Sequence, residues 1–468
     1  MKPISGIDAN FLYLETPTLH MHTIKVALLD PGGTAPSFDA IRRGLEARLD
    51  RLPPFRQRVA WVPFGLTHPF WVDDPDFDLR FHLARRRAPA PGGHHELCAV
   101  VSEIAGLPLD PRRPLWELTV VEGLEAGRVA FVAKLHHAIA DGARAVELLQ
   151  AALGEDVPAQ PLPEPAPARR TLLARGMRAV WLRLAGLPSL LLATLRGLLH
   201  LLQRTADPGS TRLPLPAPTT SFNRALGAER SFAVASLPLE PLRRIKRQHG
   251  VTLNDALMAV CAGAVRSYLI ERGESVERPL VVGVPTNVRR EGGPSEGGNH
   301  VGHLIAPLRT DIADPVARMH AIHVEMAEAK ARDAALGARL MERWAEFTPP
   351  GLARLVARSW SRWRIGGRVP PPINLVISNV PGPPGPIGIQ GARLEALYSV
   401  GPILEGIGLN LTGWSYAGRL AVAALGCPES LPDPWKLVDR LPEALAELEA
   451  LSREGPPAPT AELHRRIA

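Results

Sequence analysis

The chain reads as an α/β protein of two similar layered halves joined by a linker. Two observations predict this. Strand-like and helix-like segments alternate through the first third and again through the second half, and a proline-rich break lies between them. With 468 residues, 46% of them hydrophobic and 22% charged, the chain can bury a large core and has room for two or more domains. A disordered chain, a fibre and a small disulfide scaffold are excluded.

The elements follow in order. His22–Leu29 (HTIKVALL) has strand character, and Phe38–Leu49 has apolar residues at helical spacing. Trp61–Val72 is β-rich, Leu97–Gly106 helical, Trp116–Val121 and Val129–Leu135 strand-like, and Ala143–Leu153 an apolar helix. Val157–Pro167 (VPAQPLPEPAP) and Leu213–Pro218 (LPLPAP) are proline-rich linkers. Between them lies Arg169–Arg204, with seven arginines and no acid. Thr252–Leu269 is a long helix with Thr252 or Asn254 as its cap, and Leu280–Val284 is a short buried strand. Arg289–Asn299 is a glycine-rich loop, and Pro315–Trp363 is helical up to Pro349–Pro350. Strands follow at Asn374–Ser378, Leu397–Val400, Gly408–Trp414 and Arg419–Ala424, then a last helix from about Pro434 to Leu451. These bounds divide the chain into domains at 1–156 and 221–455, a basic linker at 157–220 and a flexible tail at 456–468.

Net charge is +7, and the 54 basic residues comprise 48 arginines and six lysines. Cys98, Cys261 and Cys427 stand far apart in apolar surroundings, so neither a disulfide framework nor a zinc site can be built from them. A reducing cytoplasm is the expected compartment. The opening MKPISGIDANFLYLETPT has no continuous apolar core and is not read as a secretory signal. Leu184–Leu195 is the nearest approach to a spanning segment, short of the ~18–20 uncharged residues required. The chain is not expected to span a membrane.

Lys134–Leu149 (KLHHAIADGARAVELL) carries the chemistry. An apolar strand delivers His136 and His137, Asp141 and Gly142 follow, and a helix begins. Consecutive strand residues point to opposite faces, so the two imidazoles enter different environments. A neutral histidine can take a proton from a hydroxyl near neutral pH. Asp141 can brace the turn, and Gly142 leaves room for a close approach. His94–His95 is a second pair with no Asp-Gly after it and is read as structural.

The segment HHAIADG resembles the HHxxxDG motif of the coenzyme-A-dependent acyltransferase superfamily. The opening IDANFLYLETPTLHMH, PLDPRRPLWEL, NDALMAV, VPTNVRR followed by GGN, and ISNVPGP narrow the resemblance to bacterial wax ester synthase/diacylglycerol acyltransferases. It covers the chain from residue 4 to about 450. The resemblance implies two chloramphenicol-acetyltransferase-like domains with an active-site tunnel between them. It implies His137 as the catalytic base, His136 as support, and Asp141 in a structural salt bridge, for which Arg56 and Arg58 are the candidates. Asn254, Thr286, Asn287 and Ser378 are candidate oxyanion or supporting groups, and capping is the other reading of Asn254. The family's P-x-S-x-R pattern here reads Pro285-Thr286-Asn287-Val288-Arg289, with asparagine in place of serine. Arg289, Arg290 and Trp116 are weaker candidates for contact with coenzyme A or substrate, Trp116 being read rather as packing or tunnel wall.

The implied reaction moves a long-chain acyl group from acyl-coenzyme A to diacylglycerol, a long-chain alcohol, or both, with no cofactor and no metal. A condensation-domain-like or polyketide-associated acyltransferase using carrier-bound substrates is the alternative. His136, His137 and Asp141 lack zinc-ligand spacing, His300–His303 and His320–His323 are read as loop and helix-surface residues, and no phosphate-binding loop occurs. The basic residues lie among leucines, which argues against nucleic acid. Arg169–Arg204 is read either as an element lying on an anionic membrane or lipid droplet, or as a helical hairpin packed on the protein's own core. The first reading places the enzyme in the cytoplasm, peripheral to the inner face of the plasma membrane or to lipid inclusions.

Overall fold

A computed structural model describes residues 1–32, 37–49, 52–140, 148, 167–205, 216–287, 301–336, 340–383, 385–389 and 391–453. The expected helix at 143–153, the first linker up to residue 166, the glycine-rich loop and the tail lie largely or wholly outside these residues.

The first half runs β1 (Lys2–Pro3), α1 (Gly6–Leu14), β2 (His22–Asp30), α2 (Phe38–Leu49), α3 (Pro53–Arg56), β3 (Gln57–Ala60), β4 (Phe70–Asp73), β5 (Leu83–Arg87), α4 (His94–Gly106), β6 (Trp116–Glu122) and β7 (Val129–His136). Every residue of β7 is buried. Its period-2 alternation serves two cores: Ala130 and Val132 join one, while Val129, Phe131, Ala133 and Leu135 join the other. The β-rich stretch at 61–72 holds one short strand, β4, after a turn at Pro63–Gly65; its antiparallel partner β3 ends just before the stretch, at Ala60.

Helix α5 (Arg169–Thr205) is a single helix with Pro188 inside it, not a hairpin. By length and apolar composition it and α7 (Leu253–Glu271) could each cross a bilayer. The apolar window of α7 is 72% buried in the core, against 11% for α5. Among the described side chains of α5, only the narrow stripe Leu172, Gly176, Leu190 and Gly197 is buried.

The second half holds β8 (Ser231–Pro238), α6 (Leu239–His249), α7, β9 (Val281–Asn287), β10 (Val301–Pro307), α8 (Pro315–Leu336), α9 (Leu340–Ala345) and α10 (Pro350–Arg362). It continues with β11 (Leu375–Val380), β12 (Gly388–Ile389), β13 (Ala392–Val400), β14 (Leu409–Tyr416), β15 (Arg419–Gly426), α11 (Trp435–Val438) and α12 (Arg440–Arg453). The last helix expected from the sequence is thus two helices. Thr252 caps α7: its hydroxyl accepts the Asp255 N–H, and the Asp255 carboxylate accepts the Thr252 N–H. Asn254 is therefore not the cap.

Two six-stranded mixed sheets result, ordered β12-β13-β2-β7-β6-β5 and β10-β9-β11-β14-β15-β8, with a small sheet β1-β4-β3 beside them. Strands β12 and β13 come from the second half but complete the first sheet, β13 pairing antiparallel with β2 from Val400↔Ile24 to Arg393↔Asp30. One core joins the halves: Ile24, Val26, Val132 and α4 residues Leu97 and Val101 meet Phe232, Val234, Ala421 and Ala423.

Helix α1 is set against the end of α9 at Gly6, where an added Cβ would lie 2.4 Å from the Ala345 backbone carbon. We expect Gly6→Ala to destabilise the fold by about 1–3 kcal/mol through overpacking against backbone. Chemical denaturation checks this, and an unchanged midpoint would show that the contact relaxes without cost.

Candidate active site

Strand β7 ends in the two histidines, and they are unequal. His136 is fully buried. Its backbone N–H donates to Leu115 O at 3.0 Å, and its ring Nδ1 accepts the Ala138 N–H at 3.0 Å. With Nδ1 accepting, the neutral ring carries its proton on Nε2, which faces Glu15 Oε1 at 3.3 Å. The same Glu15 oxygen accepts the Met21 N–H. Burial pushes the Glu15 carboxyl up, but His136 and the Met21 amide outweigh it and hold the group below the ordinary glutamate range.

His137 is half-buried. Its backbone N–H donates to Met21 O at 2.8 Å, and its ring lies on Phe11 with centroids 4.3 Å apart. Met21 thus ties the β2 entry to both motif histidines, through its N–H to Glu15 and its carbonyl to His137.

A sealed polar cluster continues on the His136 side. His22 pairs with His136 across β2 and β7, and His20 stacks on His22 at 5.5 Å. Carbonyls at the end of α4 receive the donors: His22 Nε2 meets Ala105 O at 3.0 Å, and the Lys134 ammonium donates to Ile104 O and Leu107 O. Lys134 also pairs with Glu117 at 2.8 Å. Burial, seconded by Arg230, holds the His20 imidazole down to about 4. Burial and Lys134 hold His22 well below its ordinary range.

The remaining sequence candidates are placed as follows. Trp116 is buried, donates its indole N–H to Phe55 O at 2.8 Å, and stacks on His82 at 4.8 Å. It is core, not a surface offered to coenzyme A, because it is 3% exposed and its one donor is committed. Arg58 lies 3.4 Å from Asp74, and the Arg56 guanidinium sits over Phe77. Thr286 stands on β9 and Ser378 on the neighbouring parallel strand β11. Asn254 lies in the first turn of α7, and Leu257 three residues on packs over Gly413, which is in register with Asn379. These three candidates therefore gather around one end of the second sheet. None makes a hydrogen bond to either motif histidine among the described residues. The Asn287 side chain, Asp141, Gly142, Arg289 and Arg290 lie outside the described residues.

Sequence reasoning missed Glu15 and Lys25. Glu15 is a lone acid between an apolar helix and a proline, which was the available signal. Lys25 is a buried lysine inside an apolar strand, donating to Ser399 of β13 and lying 5.5 Å from the Trp414 ring centroid.

Family-level profiles match this arrangement along the chain: the wax ester synthase/diacylglycerol acyltransferase catalytic domain over residues 4–257, and the C-terminal domain of the same family over 297–449. The chain belongs to that family. A Mycobacterium tuberculosis protein assigned by name as a diacylglycerol O-acyltransferase is 37% identical over 97% of this chain and 92% of its own. The wax ester synthase/diacylglycerol acyltransferase of Marinobacter aquaeolei superposes with a TM-score of 0.68 and 27% identity, over 97% of this chain and all of that one. The first condensation domain of the CDA synthetase, at 16% identity and TM-score 0.58 over 96% of each chain, shares the fold alone. The protein is an acyltransferase that works between an acyl donor and a lipid acceptor.

The neutral buried imidazoles give this acyltransferase an acid limit. Unfolded histidines protonate near ~6.5, whereas His20 and His68 stay neutral in the fold down to about 4. Between those values the unfolded chain binds more protons at these positions, so their contribution to stability is lost as pH drops from ~6.5 toward ~4 and changes no further below. Each imidazole contributes at most about 3 kcal/mol to that slope. Urea titrations across this window, with His20→Gln flattening the slope, test it; a flat wild-type profile would show that these rings charge in the folded state.

Proposed function

We propose that the chain transfers a long-chain fatty acyl group from acyl-coenzyme A to the hydroxyl of diacylglycerol, of a long-chain alcohol, or of both. One observation carries the assignment of the base: of two adjacent imidazoles, His136 is fully buried, its Nδ1 accepting the Ala138 N–H and its Nε2 facing Glu15, while His137 is only half-buried at the strand end.

His137 takes the proton of the acceptor hydroxyl as its oxygen attacks the thioester carbonyl, and the imidazolium then returns the proton to the departing coenzyme A thiolate. No covalent enzyme intermediate and no cofactor are needed; acyl-coenzyme A is a co-substrate. His136 and Glu15 fix the turn from which His137 projects. Asp141 braces the following loop against Arg56, since Arg58 is taken by Asp74, and Gly142 leaves space for substrate. Asn254, Thr286, Asn287 and Ser378 are the pool from which the oxyanion donor comes, and Arg289 and Arg290 are the candidates for contact with the coenzyme phosphates. The relatives' names favour diacylglycerol and wax ester acceptors over carrier-bound ones.

Such products leave into lipid, not water. Helix α5 therefore lies on an anionic membrane or lipid droplet, its arginines each contributing ~1 kcal/mol of attraction. The enzyme works in the cytoplasm, peripheral to the inner face of the plasma membrane or to lipid inclusions.

His137→Ala should lower turnover by roughly 10²–10⁴-fold with little change in unfolding midpoint. Asp141→Ala should lower both, because it takes a counter-charge away from a half-buried arginine. The assay is radiolabelled palmitoyl-coenzyme A with hexadecanol and dioleoylglycerol offered side by side. Near-normal turnover by His137→Ala would remove the base assignment, and the product ratio ranks the acceptors.

A further inference from the structure

Phe64 stands at the tip of the turn between β3 and β4 with 92% of its surface exposed, on a backbone of φ 61°. A bulky residue in the left-handed region is unfavourable, and here the conformation presents an aromatic ring to solvent. Its neighbours Trp61 and Leu66 are exposed as well.

This turn is seated between two apolar helices. On one side Gly176 of α5 lies so close to Val62 that an added Cβ would sit 2.9 Å from its Cγ1, and Arg183 donates to Thr67. On the other side Gly65 adjoins Pro350 and Gly351 of α10, and the Arg354 guanidinium covers the Trp61 ring at 4.5 Å. Both helices present exposed apolar residues with arginines among them. Trp181, Leu184, Leu191, Leu195, Leu198 and Leu199 of α5 are exposed and fall within an arc of about 100° on a helical wheel, with Arg178 and Arg196 beside it. Leu352, Leu355, Val356 and Trp363 are exposed on and just past α10.

We propose that the turn at residues 61–66 and the outer faces of α5 and α10 form one platform that seats on an anionic bilayer surface, with Phe64 as its wedge. Charge decides the occupant. The α5 segment Arg169–Arg204 has seven arginines and no acid, and Pro349–Pro372 has five arginines and no acid. A second copy of this face would bring like charges together, whereas anionic head groups neutralise them while the apolar residues enter the acyl boundary. The inference deepens the lipid acyltransferase reading, on which only the choice of acceptor in the test depends.

The three native cysteines are buried, so a cysteine placed at position 64 takes a maleimide fluorophore selectively. In Phe64→Cys, a polarity-sensitive label should shift to the blue on phosphatidylglycerol-containing vesicles and remain unshifted with phosphatidylcholine alone. The same label in Arg243→Cys, on α6 beside the far edge of the second sheet, should stay aqueous throughout. Phe64→Ser should weaken vesicle flotation on the order of tenfold while leaving turnover of a short water-soluble alcohol unchanged. A label at 64 that stays in water while the protein floats would overturn the proposal, as would a dimer that Phe64→Ser dissolves without any flotation. Absence of acyl transfer to every acceptor would instead remove the function reading and leave the label's shift standing.

Discussion

Strand β2 would be the edge of the first sheet if β13 did not pair with it. An edge strand with the composition of HTIKVALLD invites pairing with another chain. The protein closes that edge with its own second half, and much else follows from the closure. Ser399 arrives opposite Lys25 and takes its ammonium, Tyr398 and Val400 enter the core shared with α4, and Leu394 and Leu397 enter the core on the opposite face. Trp414 and Tyr416 of the second sheet reach that same opposite core, so the halves interlock on both faces of β2 and β7. The two motif histidines stand at the end of the most enclosed strand in this arrangement. Their backbone is held from both sides, by Leu115 O on β6's side and Met21 O on β2's side.

Burying His20, His22, Lys134 and His136 together is costly, since each must exchange water for protein partners or stay uncharged. The cluster meets the cost in two ways. Lys134 stays paired with Glu117 and with the end of α4, where the helix dipole favours a cation. His20 and His22 stay neutral, as their lowered affinities for protons require. One carboxylate, Glu15, faces the Nε2 of His136 and accepts the Met21 N–H, which ties the His136 ring to the entry of β2.

How much of this could be read beforehand depended on how local each signal was. Strand β7, helix α2 and the unequal pair His136–His137 were legible because period and spacing are properties of a few neighbouring residues. Arg169–Arg204 was legible as apolar and basic but not as one helix, because Pro188 reads as a break. In the fold Pro188 lies on the exposed side, and the Ser189 hydroxyl donates to Gly186 O beside it. The cap of α7 stayed open between Thr252 and Asn254 because either side chain suits the position; the reciprocal bond from Asp255 selects Thr252. The crossing of β13, the Glu15–His136 contact and the burial of Trp116 depend on residues far apart in sequence. Alternation identifies a strand but says nothing of which sheet receives it.

Helix α1 links the turn at the motif histidines to helices α5 and α10 through a series of contacts. Phe11 lies against the His137 ring, and Glu15, just past the helix, faces His136. Tyr13 meets His68 Nδ1 at 2.7 Å, and the Gly6 N–H is taken by Glu346, which also pairs with Arg183 of α5. Thr18 reaches Ser361 of α10 at 2.7 Å. Contiguity of this kind is not coupling, which needs an element with two arrangements whose balance both sites shift. It does constrain geometry. A rigid helix of nine residues, fixed at its start by α9 and α5 and followed at its end by contacts to the motif histidines and α10, sets the position of His137 relative to the exposed apolar residues of α5 and α10. The distance from those residues to His137 is one that the packing of α1 has already determined.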